Sequence, residues 1–182
     1  MSISRSRIRI VALAALTAAS ALLVSSPNVH ARSAVVGPPW ISIETPVNPY
    51  DATTRGAYLL VHAFHHGEGI AYPVSGSAEG IVNGQRKRIA LSFTATSRTG
   101  TYALRKQWDD TGVWTLVITV KQQENDLAQA IVEVGADGAV SRVHVPTRIG
   151  ERDLPFPSVV SAQEIDTALR ARARTMVGQQ KD

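Results

Sequence analysis

The segment 113–120, VWTLVITV, alternates without a break. Successive side chains of a strand point to opposite faces, so Trp114, Leu116, Ile118 and Val120 share one side and Val113, Thr115, Val117 and Thr119 the other. Such a segment predicts a central strand, which needs a strand on each edge. The flanking sequence supplies them. Residues 74–82 run into Asn83-Gly84, a strong two-residue hairpin signal because both positions favour positive φ. Residues 88–95 alternate, with Ile89, Leu91 and Phe93 on one face. Arg98-Thr99-Gly100 turns the chain, and 101–108 places Tyr102, Leu104 and Trp108 on one side. Asp109 to Gly112 turns it again. After the central strand come a polar loop at 122–126, a strand at 127–134, a turn at 135–138 and a closing strand at 139–145.

Two strands precede this meander. Trp40 opens the sequence WISIE, and the nearby Pro46 and Pro49 mark it as an edge strand, because proline cannot donate to a ladder. Residues 57–66, AYLLVHAFHH, are apolar until the histidines. Periodicity alone does not separate a buried strand from a short helix; the flanking Gly56 and Gly67 and the content of Tyr58, Val61 and Phe64 favour strand. Turns recur about every 8–14 residues and there is no βαβ unit. The expected fold is all-β: an immunoglobulin-like β-sandwich of about seven to eight antiparallel strands spanning 38–146, with a C-terminal α-helix. Residues 147–160 read as an irregular, Pro-rich linker. Ser161 and Glu164 form a capping box, predicting a helix near 162–176 within a 161–182 tail. Its apolar stripe is thin: Ile165, Leu169 and Met176, with Ala168 and Ala173 beside it. Arg170, Arg172 and Arg174 stand near its C-terminus, where the dipole favours cations. The helix either docks on the sandwich, stays solvated, or binds a partner; without aromatic residues it is poorly suited to membrane insertion.

At the N-terminus, Arg5, Arg7 and Arg9 precede an apolar run at 10–24 and a small-residue site ending at Ala31. This order is that of a secretory signal peptide, 1–31, followed by a linker at 32–37. The apolar run falls short of the roughly 20 residues a spanning helix needs; the alternative is an uncleaved anchor. The expected location is periplasmic or secreted, with no stable membrane anchor after cleavage. The chain has 19 Lys+Arg against 15 Asp+Glu. Loss of the three leader arginines brings the net charge from +4 to about +1, so the high isoelectric point argues for neither nucleic acid nor an anionic membrane as partner. There is no cysteine, which excludes disulfides, thiolate metal sites and a cysteine nucleophile.

Three of the five histidines, His62, His65 and His66, lie within VHAFHH. On an extended strand His62 and His66 stand about 13 Å apart. One ion needs its ligands at ~2 Å, so these two do not share one. His65, His66 and Glu68 border a Gly-containing loop and are the candidate metal ligands; imidazole suits Cu(II) or Zn(II). The alternatives are strand-end histidines without a ligand, or catalysis. His62 reads as a partly buried histidine with one bonded ring nitrogen, and His144 as solvent-facing. No G-x-S-x-G, H-E-x-x-H or S-x-x-K motif occurs. Asp109-Asp110 reads as turn chemistry or, alternatively, a carboxylate dyad. Residues 85–88, QRKR, read as edge-strand protection or an anion-binding patch.

Pro73-Val74 with Gly76 and Ala78, then Gly100 and Tyr102, then Gly112, Trp114 and Leu116 form a spaced set. It resembles exported bacterial immunoglobulin-like or transthyretin-like sandwich domains, including the YtkA-like family. The resemblance covers about 50 residues at strand and turn positions and implies the sandwich fold. Some members of that broad group handle copper, but their methionine-rich or N-terminal histidine ligands have no counterpart here. The expectation is therefore a non-enzymatic binding or accessory module acting on a protein partner, with no cofactor. The alternative is a periplasmic copper- or zinc-binding protein using His65, His66 and Glu68. An enzyme comes third.

Overall fold

The computed structural model describes residues 37–150 and 153–179, with side chains as far as residue 173. The expected signal peptide, residues 32–36, the Met176 side chain and residues 180–182 lie outside the described residues. No helix among the described residues is long and apolar enough to cross a membrane.

Two five-stranded antiparallel sheets form a sandwich. The first contains β1 (Trp40–Glu44), β2 (Leu59–His65), β7 (Thr101–Leu104) and β6 (Phe93–Ala95) in that order, with the short β3 (Glu68–Gly69) folded back on β2. The second has the order β10 (Val140–His144), β9 (Leu127–Val134), β8 (Val113–Lys121), β4 (Val74–Val82), β5 (Gln85–Leu91). β8 is the middle strand and β1 an edge strand, as their sequences predict. Asn83 (φ 51°) and Gly84 (φ 76°) make the β4–β5 turn; both angles are left-handed, as the primed hairpin turn requires.

The core lies between the sheets. β8 contributes Trp114, Leu116, Ile118 and Val120, and β2 contributes Leu59, Val61 and Ala63. Alternation sends the other β2 side chains, Leu60, His62 and Phe64, to the outer face. Trp114 is 2% exposed, and its indole N–H donates to the Thr111 carbonyl at 2.9 Å. It lies opposite Gly80 in register, and a Cβ at Gly80 would collide with the indole ring. The glycine thus makes room for the largest core side chain.

The segment 88–95 departs from the expected single strand. Its first half is β5 of the second sheet and its second half is β6 of the first. The chain crosses at Ser92, where the Gln107 side chain replaces a strand neighbour. Gln107 Nε2 donates to the Ser92 carbonyl at 2.8 Å, and the Ser92 N–H donates to Gln107 Oε1 at 2.9 Å. Both backbone groups of the corner are thereby satisfied. This crossing, together with β3, raises the strand count of the two sheets to ten. The strand expected at 101–108 ends at Leu104. The segment expected to be an irregular linker holds a separate hairpin of β11 (Thr147–Ile149) and β12 (Pro155–Pro157). Two prolines fit there because β12 pairs with β11 alone, so neither needs an outward N–H.

The capping box forms as its sequence implies. The Glu164 N–H donates to Ser161 Oγ at 3.2 Å and the Ser161 N–H to Glu164 Oε2 at 2.7 Å. It starts α1 (Ala162–Gln179), which packs against β8 and β4 of the second sheet. Ala168 and Leu169 are buried. The sheet face that carries α1 holds one polar row across all five strands: Arg88, Glu79, Thr115, Glu133, Arg142. Glu79 is buried but satisfied, accepting from Ser77 Oγ at 2.9 Å and pairing with Arg88 Nε at 3.1 Å. The Thr115 hydroxyl, at the centre of the row, has no hydrogen-bond partner among the described residues.

Trp114→Ala is expected to lower the unfolding free energy by about 3–5 kcal/mol, read in a denaturant melt; a loss under ~1 kcal/mol would contradict its core position. A second expectation concerns Tyr58, whose ring packs edge-on against Trp108 at 4.9 Å. Burial, then the nearby Asp137 carboxylate, pushes its phenol up to about 12. An unfolded tyrosine ionises near ~10, so the unfolded state releases this proton first. The Tyr58 phenol therefore leaves stability unchanged below pH ~10 and lowers it as the pH climbs towards ~12. Its hydroxyl is buried without a partner among the described residues, so Tyr58→Phe should match or exceed the natural protein at neutral pH and lose less stability in alkaline melts.

Candidate functional site

The outer face of the first sheet gathers an ionic and hydrogen-bonded cluster. Register sets Ser42, His62 and Thr101 side by side on β1, β2 and β7. Glu44 lies two residues beyond Ser42, on the same face. His62 Nε2 is 2.9 Å from Glu44 Oε2 and His62 Nδ1 is 3.2 Å from Thr101 Oγ1. An ionised carboxylate only accepts hydrogen bonds. In the neutral ring, Nε2 therefore carries the proton and donates it to Glu44. Nδ1 then has a lone pair and accepts the Thr101 hydroxyl proton.

Arg98 bridges two acids, with Nη2 3.8 Å from Glu44 Oε2 and 3.9 Å from Asp51 Oδ2. Asp51 caps the 3-10 turn Ala52–Thr54. Hydrogen bonds from the Thr53 hydroxyl and N–H, then the Arg98 charge, hold its carboxyl below the usual range against the opposing effect of burial. Next to the cluster is an open cavity of about 330 Å³ bordered by His62, Thr101, Thr99, Gly100, Gly67 and Gly69. Gly100 has φ 72°, and a Cβ there would strike the Ala63 carbonyl.

The predicted metal ligands lie beside this cavity. β2 ends at His65; His66 (φ 50°) and Gly67 (φ 83°) form the turn, and Glu68 pairs with His65 in register. The two imidazoles meet edge to face with centroids 4.0 Å apart. His65 Nε2 is 3.0 Å from the Gly37 carbonyl. A carbonyl only accepts, so Nε2 carries the proton and Nδ1 holds the free lone pair. The hairpin thus brings His65, His66 and Glu68 into one turn. Among the described residues, no set of three or more His, Cys, Asp or Glu side chains converges closely enough to hold an ion.

The other sequence candidates resolve into ion pairs. Asp109 pairs with Lys87 at 3.4 Å and Asp110 with Lys106, so the aspartates turn to separate lysines. A hydrogen bond from Lys106 holds the Asp110 carboxyl below its ordinary value. Arg86 meets Asp166 of α1 and lies 3.9 Å from Glu79, and Arg88 meets Glu79. Each base of the 86–88 cluster thus has an internal acid, and Arg86 ties the sheet edge to α1. His144 is solvent-exposed, as expected. It borders a groove of about 390 Å³ between α1 and β9–β10, with Glu133, Arg142, Glu164 and Thr167. No protein family, curated protein or solved structure matches this chain.

Glu44, Asp51, Arg98 and Thr101 were not singled out by sequence. His62 is 18 residues from Glu44 and 39 from Thr101, and no local motif spans such gaps. The expected outcome in a long-range proton–nitrogen NMR spectrum at neutral to mildly alkaline pH is protonation of the neutral ring at Nε2 for both His62 and His65. Glu44→Gln should shift the His62 resonances and leave those of His65 in place.

Proposed function

We propose that this chain is an exported binding module that engages a protein partner through the outer face of the first sheet. The observation that carries this is the asymmetry of the sandwich. The second sheet has α1 across its outer face, whereas the first exposes Ser42 and Thr94 among half-buried Trp40, His62 and Phe64. Tyr50, next to Asp51 of the ionic cluster, is 93% exposed. Tyrosine, tryptophan, phenylalanine and arginine are the residue types enriched in protein interfaces, and large aromatic side chains at low entropic cost are typical anchors. The basic residues at 86–88 are spent on internal acids, which speaks against nucleic acid as the partner. Export to the periplasm or outside the cell follows from the basic and apolar N-terminal segment.

A second use of the same region is favoured by one observation. The His65 Nε2–H bonded to a backbone carbonyl is the orientation that metal-ligating histidines commonly adopt, with the other ring nitrogen turned to the ion. Cu(II) or Zn(II) is the ion class that would suit a pair of imidazoles, His65 through Nδ1 and the adjacent His66.

Two measurements test these proposals. A photo-crosslinking amino acid placed at Tyr50 or Ser42 in the exporting cell should give one discrete adduct of defined mass, absent when it is placed at Thr167 on α1. Adducts that are diffuse, or alike from all three positions, would remove the docking face. Titration with Cu(II) and Zn(II) should show binding tighter than about micromolar, lost in the His65→Ala/His66→Ala pair. No heat change and no spectral change would leave these histidines as a strand end.

A further inference from the structure

We infer that Glu44, His62 and Thr101 form a hydroxyl-activating relay that transfers the acyl group of a small ester to water. Three observations support it. First, the polarity of the hydrogen bonds is fixed by chemistry. Glu44 accepts from His62 Nε2 at 2.9 Å and so sets the tautomer, leaving Nδ1, 3.2 Å from Thr101 Oγ1, as a base for the hydroxyl proton. A nucleophile bonded to a base that a third group orients is the general arrangement of hydroxyl nucleophiles, independent of fold or chain order. Arg98 Nη2 stands 3.8 Å from Glu44 Oε2, on the side of the relay away from Thr101.

Second, the hydroxyl has somewhere to act. Thr101 is 5% exposed, but it and His62 both border the cavity of about 330 Å³. That volume is at the lower end of small-ligand sites. Third, the same cavity is bordered by Thr99 and Gly100, whose backbone N–H groups donate to no acceptor among the described residues. Unused N–H groups beside the nucleophile are the donor type that stabilises a developing oxyanion. A glycine at 100 with φ 72° permits this backbone shape without strain.

The step balances. Thr101 Oγ1 forms a bond to the ester carbonyl carbon while its proton passes to His62 Nδ1. The tetrahedral adduct collapses, breaking the bond to the alcohol oxygen, which leaves with the proton from His62. Water then attacks the threonyl ester and gives one proton to Nδ1; the bond from the acyl carbon to Oγ1 breaks, Oγ1 takes that proton back from Nδ1, and the carboxylic acid leaves. No oxidant, reductant or metal takes part. The inference is independent of partner docking, because a small soluble ester needs no partner.

The test uses p-nitrophenyl acetate with the protein made from its full-length chain. Release of p-nitrophenolate is followed together with the mass of the acid-quenched protein. The expected result is one acetyl group on the peptide containing Thr101, and a rate that falls roughly 10²–10⁴-fold in His62→Gln, the range a positioned general base supplies. Thr101→Val should abolish the adduct, and Thr101→Ser should keep it. Glu44→Gln should slow acylation while leaving Thr101 the acylated residue. Absence of the adduct from the natural protein overturns the inference whatever the variants do. So does an adduct spread over surface lysines with a rate unchanged in Thr101→Val.

Discussion

The fold depends on covering both faces of β8. One face, Trp114 to Val120, meets the first sheet across the core. The other, with Thr115 at its centre, lies under α1. A strand buried on both sides cannot shift its register by one residue without sending Trp114 under the helix and Thr115 into the core. The strands on either side inherit that register. Gly80 opposite Trp114 confines the alignment further, since only a residue without a Cβ leaves room for the indole. The polar row from Arg88 to Arg142 follows from the same alignment, because each member is set opposite the next by strand pairing.

Much of this was legible. Alternation marked β8, turn chemistry placed the β4–β5 hairpin and bounded β9, and Ser161 and Glu164 announced the helix. Two departures had physical causes that no local pattern carries. Residues 88–95 alternate as one strand, yet the chain changes sheets at Ser92. The compensating group is a side chain 15 residues away, and a glutamine amide has no signature for such a role. The hairpin at 147–157 is short and proline-bearing, and prolines read as loop unless the pairing partner is known.

The site was legible only in part. His62, His65 and His66 were visible as a cluster, but the side chains that give them chemical character lie on other strands. Which residue faces His62 across β1 depends on register, and register depends on the packing of the whole sheet. Glu44 and Thr101 are ordinary members of alternating segments until β1, β2 and β7 are aligned. The basic residues at 86–88 show the converse. A run that suggested an anionic partner is consumed by Glu79, Asp109 and Asp166, acids dispersed along the chain.

The crossing at Ser92 has a mechanical meaning. One unbroken stretch of backbone runs from β5, tied through Arg86 to Asp166 of the helix, into β6, the neighbour of the strand that carries Thr101. Parting the two layers would require tearing the Gln107 clasp and straightening that corner together. Strain applied at the helix thus has a covalent route of a few residues to the far side of the sandwich.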